Sequence, residues 1–198
     1  MDMCSGTGII GLLLCAHTDV IHVDSLEIQQ ELSQMCSRTI IYNNLENKMR
    51  SICMDLKDAP KELGYEKYDL ILCNPPYQKV NSGKQNQNIS KTIARFEVKS
   101  DLESVISNAS KLLKNRGRFA MSHRPERLSE IFANLKKYNL EPKKMQLVQS
   151  RQDSDAVIVL VEAVKNANVG LKVLQTLIVY DGDDYTDDIY KIYDMNKI

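Results

Sequence analysis

A chain of 198 residues with 26 Lys plus Arg against 26 Asp plus Glu carries no formal net charge, and 43% of it is hydrophobic. It is long enough to bury a core as one domain, and its charge balance gives no overall steering toward nucleic acid or an acidic membrane. No run of 18 apolar residues is long enough to cross a bilayer and residues 1–16 lack a basic leader region, so neither a membrane span nor a signal peptide is read and a cytoplasmic protein is expected. The five cysteines, at 4, 15, 36, 53 and 73, lack Cys-x-x-Cys spacing and sit among apolar residues, which points to buried reduced thiols rather than disulfides or a metal site.

The chain begins on Asp2-Met3-Cys4-Ser5-Gly6-Thr7-Gly8, a glycine-rich loop that leads into an apolar helix around Leu12 to Cys15. Gly6 and Gly8 permit a tight turn and close approach of backbone to a ligand, and the helix that follows aims its free N–H groups there. Such a loop has to be delivered by a central strand, yet Met1 alone precedes Asp2. The expectation is a truncated chain whose first strand is missing, leaving a gap in mid-sheet with two unpaired edges. Val20 to Leu26 reads as the next strand, with Glu27 at its end. An acid about 20 positions beyond such a loop is suited to accept hydrogen bonds from both hydroxyls of a ribose. Asp24 competes for that role, and Glu27 is favoured. Ile28, Leu32, Met35, Thr39 and Ile40 then recur at helical spacing as a core face. Ser51 to Asp55 is a third strand ending in an acid, which would otherwise cap the following turn.

The organising stretch is Leu70-Ile71-Leu72-Cys73 running into Asn74-Pro75-Pro76-Tyr77. Four apolar residues without alternation read as a strand covered on both faces of a parallel sheet, whose carboxyl end is where ligands bind. The two prolines stiffen the corner and remove N–H donors, leaving it rich in acceptors. An amine on an aromatic ring or amide is a poor nucleophile because its lone pair is delocalised. The Asn74 side-chain oxygen and the Pro75 carbonyl are suited to accept its two N–H bonds, with Tyr77 stacked on the planar substrate. No general base is needed if the electrophile is already activated, as a sulfonium is.

Together these segments resemble the class I S-adenosyl-L-methionine-dependent methyltransferases that act on amino groups of adenine, guanine or glutamine. Glu27-Ile28-Gln29, Tyr42-Asn43-Asn44-Leu45, His123-Arg124-Pro125 and Val179-Tyr180-Asp181 with Tyr185-Thr186 look closer to one family, the bacterial tRNA1(Val) adenine N6-methyltransferases. The resemblance implies an α/β, Rossmann-like sheet, mostly parallel with an antiparallel last strand, and transfer of a methyl group to the N6 of the adenine just 3′ of the anticodon. It implies S-adenosyl-L-methionine as cofactor, leaving as S-adenosyl-L-homocysteine, and tRNA as partner. Asp2, Cys4, Gly6, Gly8, Glu27, Asp55 and Asn74 would hold the cofactor, Asp55 by accepting from its adenine amine. Asn74, Pro75 and Tyr77 would be catalytic. Two rival readings are a protein-glutamine methyltransferase built on the same corner and a non-catalytic RNA-binding or decayed fragment.

Residues 78–99 are polar, with five basic residues against the single acid Glu97. They are expected to form a substrate lid in which Lys79, Lys84 and Arg95 contact RNA phosphates. Where the family tends to place His before Glu, this chain has Arg95-Phe96-Glu97. Ser100-Asp101-Leu102-Glu103 has capping-box spacing for a helix that Gly117 would stop. Phe119 to Ser122 is a further strand, with Arg124 at its rim as another phosphate contact. A helix over Glu126 to Tyr138 precedes Met145 to Val148 and Ala156 to Val161, two strands with no helix between them and so an antiparallel hairpin. The division expected is a methyltransferase core over 1–165 and an extension over 166–198, packed on the core. Its acidic end, six Asp against two Lys from Asp181 onward, is expected to be solvated.

Overall fold

A computed structural model describes residues 1–75 and 102–194. Its main sheet runs β3 (Met49–Cys53), β2 (Val23–Glu27), β1 (Asp2–Met3), β4 (Tyr68–Cys73), β5 (Leu113–His123), β7 (Ala156–Lys165), β6 (Leu140–Gln149), β8 (Lys172–Val173), with β9 (Leu177–Ile178) also on β6. β7 alone runs against its neighbours, so the expected mostly parallel sheet closing on an antiparallel hairpin is present. The helices are α1 (Ile9–His17), α2 (Gln30–Tyr42), α3 (Ala59–Leu63), α4 (Leu102–Leu112), α5 (Leu128–Lys137) and α6 (Asp187–Tyr193).

The expected gap in mid-sheet is bridged. Asp2 and Met3 pair in parallel with Ser25 and Leu26 of β2 on one side and with Leu72 and Cys73 of β4 on the other, and Leu72 N–H donates to the Met1 carbonyl at 2.9 Å. Asp2 and Met3 thus form a two-residue strand at the position where a missing strand was expected. Toward the amino end the space between β2 and β4 is crossed by side chains instead. The Tyr68 hydroxyl donates to Asp24 Oδ2 at 2.6 Å, and Arg50 Nε on β3 donates to Asp24 Oδ1 at 2.6 Å.

The larger core lies between one face of the sheet and α3, α4 and α5. It joins Met3, Leu26, Ile71, Phe119, Met121 and Val161 to Val105, Ile106, Ala109, Ile131 and Leu135. At about 1.5–3 kcal/mol for each large side chain removed from water, this is the principal stabilising contact of the fold. The second core is smaller, with Cys15, Val23, Cys36, Ile40 and Met49 packed between α1, α2 and the β2–β3 edge.

Several local readings change. On α2 the inward face is Ser33, Cys36 and Ile40, whereas Met35 is 46% exposed. Ser33 earns its place there by hydrogen bonding Ser51 on β3 at 2.7 Å, a polar inner contact that apolar periodicity does not reveal. Gly117 falls inside β5 rather than before it, where a Cβ would lie 2.9 Å from the Lys114 carbonyl oxygen. Ser100 and Asp101 of the proposed capping box lie outside the described residues. Cys53 is exposed and Cys4 half-buried, while Cys15, Cys36 and Cys73 are buried, and all five are free thiols. The Asp residues of the acidic end are exposed, and the segment is also folded. It forms the hairpin β10–β11 (Tyr180–Asp181 and Asp184–Tyr185) and α6, which buries Ile189.

Candidate active site

The chain leaves β1 for β2 and β3 on one side and returns through β4 and β5 on the other, so the loops after β1 and β4 diverge at the middle of the sheet. This is the switch point at which open α/β sheets bind ligands. Met3 pairs with Cys73, which sets Cys4 at the head of the glycine loop beside Asn74 at the head of the corner.

The loop is fixed by its own backbone. Cys4, Gly6 and Gly8 have φ of 59°, 56° and 83°, in the left-handed region. Ser5 N–H donates to the Leu26 carbonyl at 3.0 Å, and Gly8 N–H to the Ser5 carbonyl at 2.8 Å. The glycines serve different needs. A Cβ on Gly8 would collide with Cys36 Sγ, so this residue lets the loop sit down on α2. One on Gly6 would meet nothing within 4 Å, so this residue faces open space at the mouth of the crevice. Gly8 also caps α1 without a side chain, which leaves the positive end of that helix turned toward the loop.

Two carboxylates anchor the loop from below. Glu27 Oε2 accepts from Gly6 N–H at 2.8 Å and Oε1 from Gln29 N–H at 2.9 Å, each oxygen keeping a lone pair to spare. Asp2 is fully buried, and its Oδ2 accepts from Gly11 N–H at 3.0 Å. Burial pushes the Asp2 carboxyl up to about 6, against the Gly11 bond that pulls it down. Asp2 Oδ1, Ser5 Oγ and Ser25 Oγ are buried with no hydrogen-bond partner, all beneath or within the loop.

Asp24, the competitor of Glu27, is placed away from the mouth and is saturated. Besides Arg50 and Tyr68 it meets His22 Nε2 at 2.9 Å and Lys67 Nζ at 3.8 Å. Burial raises the Asp24 carboxyl, but hydrogen bonds from Arg50, Tyr68 and His22 outweigh it and hold the group well below the usual range. Asp55 lies just past β3 on the same rim as Glu27. Its Oδ1 accepts from Lys57 N–H at 3.0 Å, the turn cap that was its alternative role.

On the other side of the crevice, Asn74 is exposed at the rim and Pro75 is buried. Asn74 Oδ1 accepts from the Ser122 hydroxyl at 2.6 Å, a contact between β4 and β5 that no sequence motif announced. It follows from the cross-strand pairing of Cys73 with Met121, a register that the sequence alone does not carry. His123, fully buried at the end of β5, accepts from Arg124 N–H on Nδ1 at 2.7 Å, and burial lowers its pKa so that it stays neutral. Arg124 is exposed on the same rim and its Nη1 reaches the Val157 carbonyl at 3.4 Å. Tyr77, Lys79, Lys84 and Arg95 lie outside the described residues. Among the described residues no cluster of His, Cys, Asp or Glu could hold a metal, and no helix is long and apolar enough to cross a membrane.

A sheet of this order, with the glycine loop and the acceptor-lined corner meeting at its switch point, is that of a class I S-adenosyl-L-methionine-dependent methyltransferase. Residues 1–139 match the family model described as the methyltransferase small domain, and the chain belongs to that family. It is 24% identical over 193 residues to the tRNA1(Val) (adenine(37)-N6)-methyltransferase of Aliivibrio salmonicida, covering 97% of this chain and 79% of that protein. To the enzyme of the same name from Flavobacterium psychrophilum it is 28% identical over 184 residues, covering 89% and 75%. Its fold is similar to the crystal structure of a predicted O-methyltransferase from Agrobacterium tumefaciens, with a TM-score of 0.77 at 20% identity, covering 98% of this chain and 86% of that one.

Proposed function

We propose that this protein methylates the N6 amine of an adenine in tRNA, the adenine 3′ of the anticodon in a valine tRNA, and that it does so in the cytoplasm. The names of the relatives support the substrate, and the juxtaposition of Asn74 with the glycine loop across the Met3–Cys73 pair carries the chemistry.

The residues present fit the cofactor. Gly6 opens onto unfilled space, Glu27 offers one remaining lone pair on each oxygen to a ribose diol, and the buried anchor of Asp2 keeps the loop in its left-handed turns. Cys4 and Gly8 shape the same loop, and Asp55, just past β3 on the rim that carries Glu27, would accept from the cofactor's adenine amine. S-adenosyl-L-methionine supplies a methyl group made electrophilic by the sulfonium that carries it.

What remains for the protein is to make the target nitrogen reactive. An N6 amine donates its lone pair into the purine ring. Asn74 Oδ1 and the Pro75 carbonyl accept its two N–H bonds and favour the pyramidal, charged nitrogen that forms as the methyl is taken. The nitrogen then releases its proton to water, so no titrating base is required. The sequence offers Tyr77 to stack on the base and Lys79, Lys84, Arg95 and Arg124 to hold phosphates, which would suit a purine swung out of a single-stranded loop.

The test is transfer of labelled methyl to an anticodon stem-loop RNA. Transfer should vanish when the target adenosine is replaced by purine riboside, which lacks the amine. Asn74→Ala should lower kcat by about 10² to 10³, the usual loss for a polar group placed at the reacting centre. A loss under threefold would contradict the mechanism, and transfer to a glutamine peptide but not to RNA would transfer the assignment to proteins.

A further inference from the structure

Successive residues of a strand point to opposite faces of its sheet. Met3 and Cys73 are register partners on β1 and β4, and both are buried in the larger core. An extended backbone would therefore turn Cys4 to the other face, away from Cys73. Its φ of 59° breaks that alternation, and Cys4 packs instead against the core that holds Cys73. The two thiols meet there: a hydrogen bond with Cys4, together with burial, pushes the Cys73 thiol well above the usual thiol range, so Cys73 keeps its proton and donates it to Cys4 Sγ. Neighbouring strands lie about 4.8 Å apart and residues about 3.3 Å apart along them, which makes the diagonal Cα separation about 6 Å, inside the range that a disulfide spans. Cys73 is sealed from solvent, whereas Cys4 is half-buried at the head of the glycine loop.

We propose that Cys4 and Cys73 are a redox-modification site: a peroxide joins them in a reversible disulfide that spoils the cofactor crevice. Cys4 reacts first, as thiolate, because it is the sulfur that solvent reaches. It attacks a peroxide oxygen, so that an S–O bond forms while the O–O bond breaks, and the departing hydroxide takes up a proton as water. Cys73 Sγ then attacks Cys4 Sγ. The S–S bond forms, the S–O bond breaks, and the Cys73 proton leaves with the hydroxyl as a second water. Two thiols thus give up two electrons and two protons, and one hydrogen peroxide receives them.

Drawing the sulfurs from hydrogen-bond contact to about 2.05 Å requires movement. Met3 is pinned by pairing on both edges and Cys73 by pairing with Met3 and Met121, so the movement falls on the loop. A pull on Cys4 is passed to Ser5, whose N–H is bonded to the Leu26 carbonyl, and to Gly6, whose N–H is bonded to Glu27 Oε2. It disturbs the left-handed turns and the acid assigned to the ribose in one step. The inference rests on the reading of the loop and Glu27 as the cofactor site, and holds whichever amine is methylated.

The test treats the full chain with hydrogen peroxide, digests it without reductant and weighs the peptides. Those carrying Cys4 and Cys73 should be found joined, lighter by two hydrogens than their sum, and parted again by dithiothreitol. In Cys73→Ala the Cys4 sulfenic acid has no partner and should be trapped by dimedone, which the parent takes up far less at that position. The digest of the parent decides the matter if Cys73→Ala does not fold. Calorimetry should show the oxidised parent binding S-adenosyl-L-methionine about tenfold more weakly than the reduced protein, with dithiothreitol restoring the affinity. Peroxide should leave the affinity of Cys4→Ser where it was, and saturating cofactor should slow the joining in the parent. Absence of the joined peptides at a peroxide dose that oxidises the exposed Cys53 overturns the proposal, and so does a joined protein that binds the cofactor as tightly as the reduced one. Neither result depends on RNA, so the adenine assignment stands or falls separately.

Discussion

Asp24 and Glu27 sit three residues apart on one short strand, are both buried, and do opposite work. Asp24 is surrounded by side chains that carry or share charge: a two-pronged Arg50, the Tyr68 hydroxyl, His22 and Lys67. Glu27 and its neighbour Asp2 are met by backbone N–H groups, those of Gly6 in the loop and Gln29 before α2 on Glu27 and that of Gly11 in α1 on Asp2, and Asp2 keeps one oxygen buried without a partner. A carboxylate satisfied from all sides by its own chain has nothing left to offer a ligand and holds strands together. One satisfied only by main-chain donors at a sheet's carboxyl end shapes a loop and keeps acceptor capacity for what enters.

The contrast breaks first at Asp24. Asp24→Ala leaves the buried Tyr68 hydroxyl without its acceptor and removes the link between β2, β3 and β4, so urea denaturation should show a loss of about 3 kcal/mol. Calorimetric affinity for S-adenosyl-L-methionine should stay within about twofold. Glu27→Gln is the mirror case. It keeps shape but halves the acceptor capacity, so cofactor affinity should fall about 10- to 100-fold, equivalent to about 1.4 to 2.7 kcal/mol, with a smaller change in denaturation midpoint than Asp24→Ala gives. Were Asp24→Ala to abolish cofactor binding in a folded protein while Glu27→Gln left it intact, the two roles would have to be exchanged.

Asp2 sharpens the comparison through pH. Its folded carboxyl titrates at about 6 against 3.8 for the unfolded chain. The stability it contributes is fully present below about pH 4 and is lost as pH rises through about 6. The stability of the parent relative to Asp2→Asn should therefore decline by about 2 kcal/mol between pH 4 and pH 7, read by denaturation at both ends. A difference that is flat with pH would mean that Asp2 is solvated in the folded chain.

What could be read from the residues was whatever is local and stiff. Asn74-Pro75 ends β4, the glycines turn into α1, and Glu27 closes β2, each as expected, and two strands without an intervening helix form the antiparallel hairpin. Hidden from a single sequence was whatever depends on register between strands. Arg50 and Tyr68 come to Asp24 from two other strands, and Ser122 comes to Asn74 from a third. Apolar periodicity also failed where the inner face is polar. Ser33 and Cys36 carry the buried side of α2 with Ile40, so of the expected stripe Ile40 is buried whereas the larger Leu32 and Met35 are not. The pairing of Asp2 and Met3 with β2 on one edge and β4 on the other is likewise a long-range property that two residues do not carry by themselves.

Gly8 rests so close on Cys36 that even a methyl group has no room between them, and the Cys36 thiol is wholly shielded, with burial raising its pKa. An alkylating reagent reaches that thiol only when the packing of Gly8, Cys15, Val23, Ile40 and Met49 around it opens, whereas Cys53 lies exposed. The ratio of the two labelling rates is thus a clock, wired into the native sequence, for how often the small core beneath the glycine turn opens.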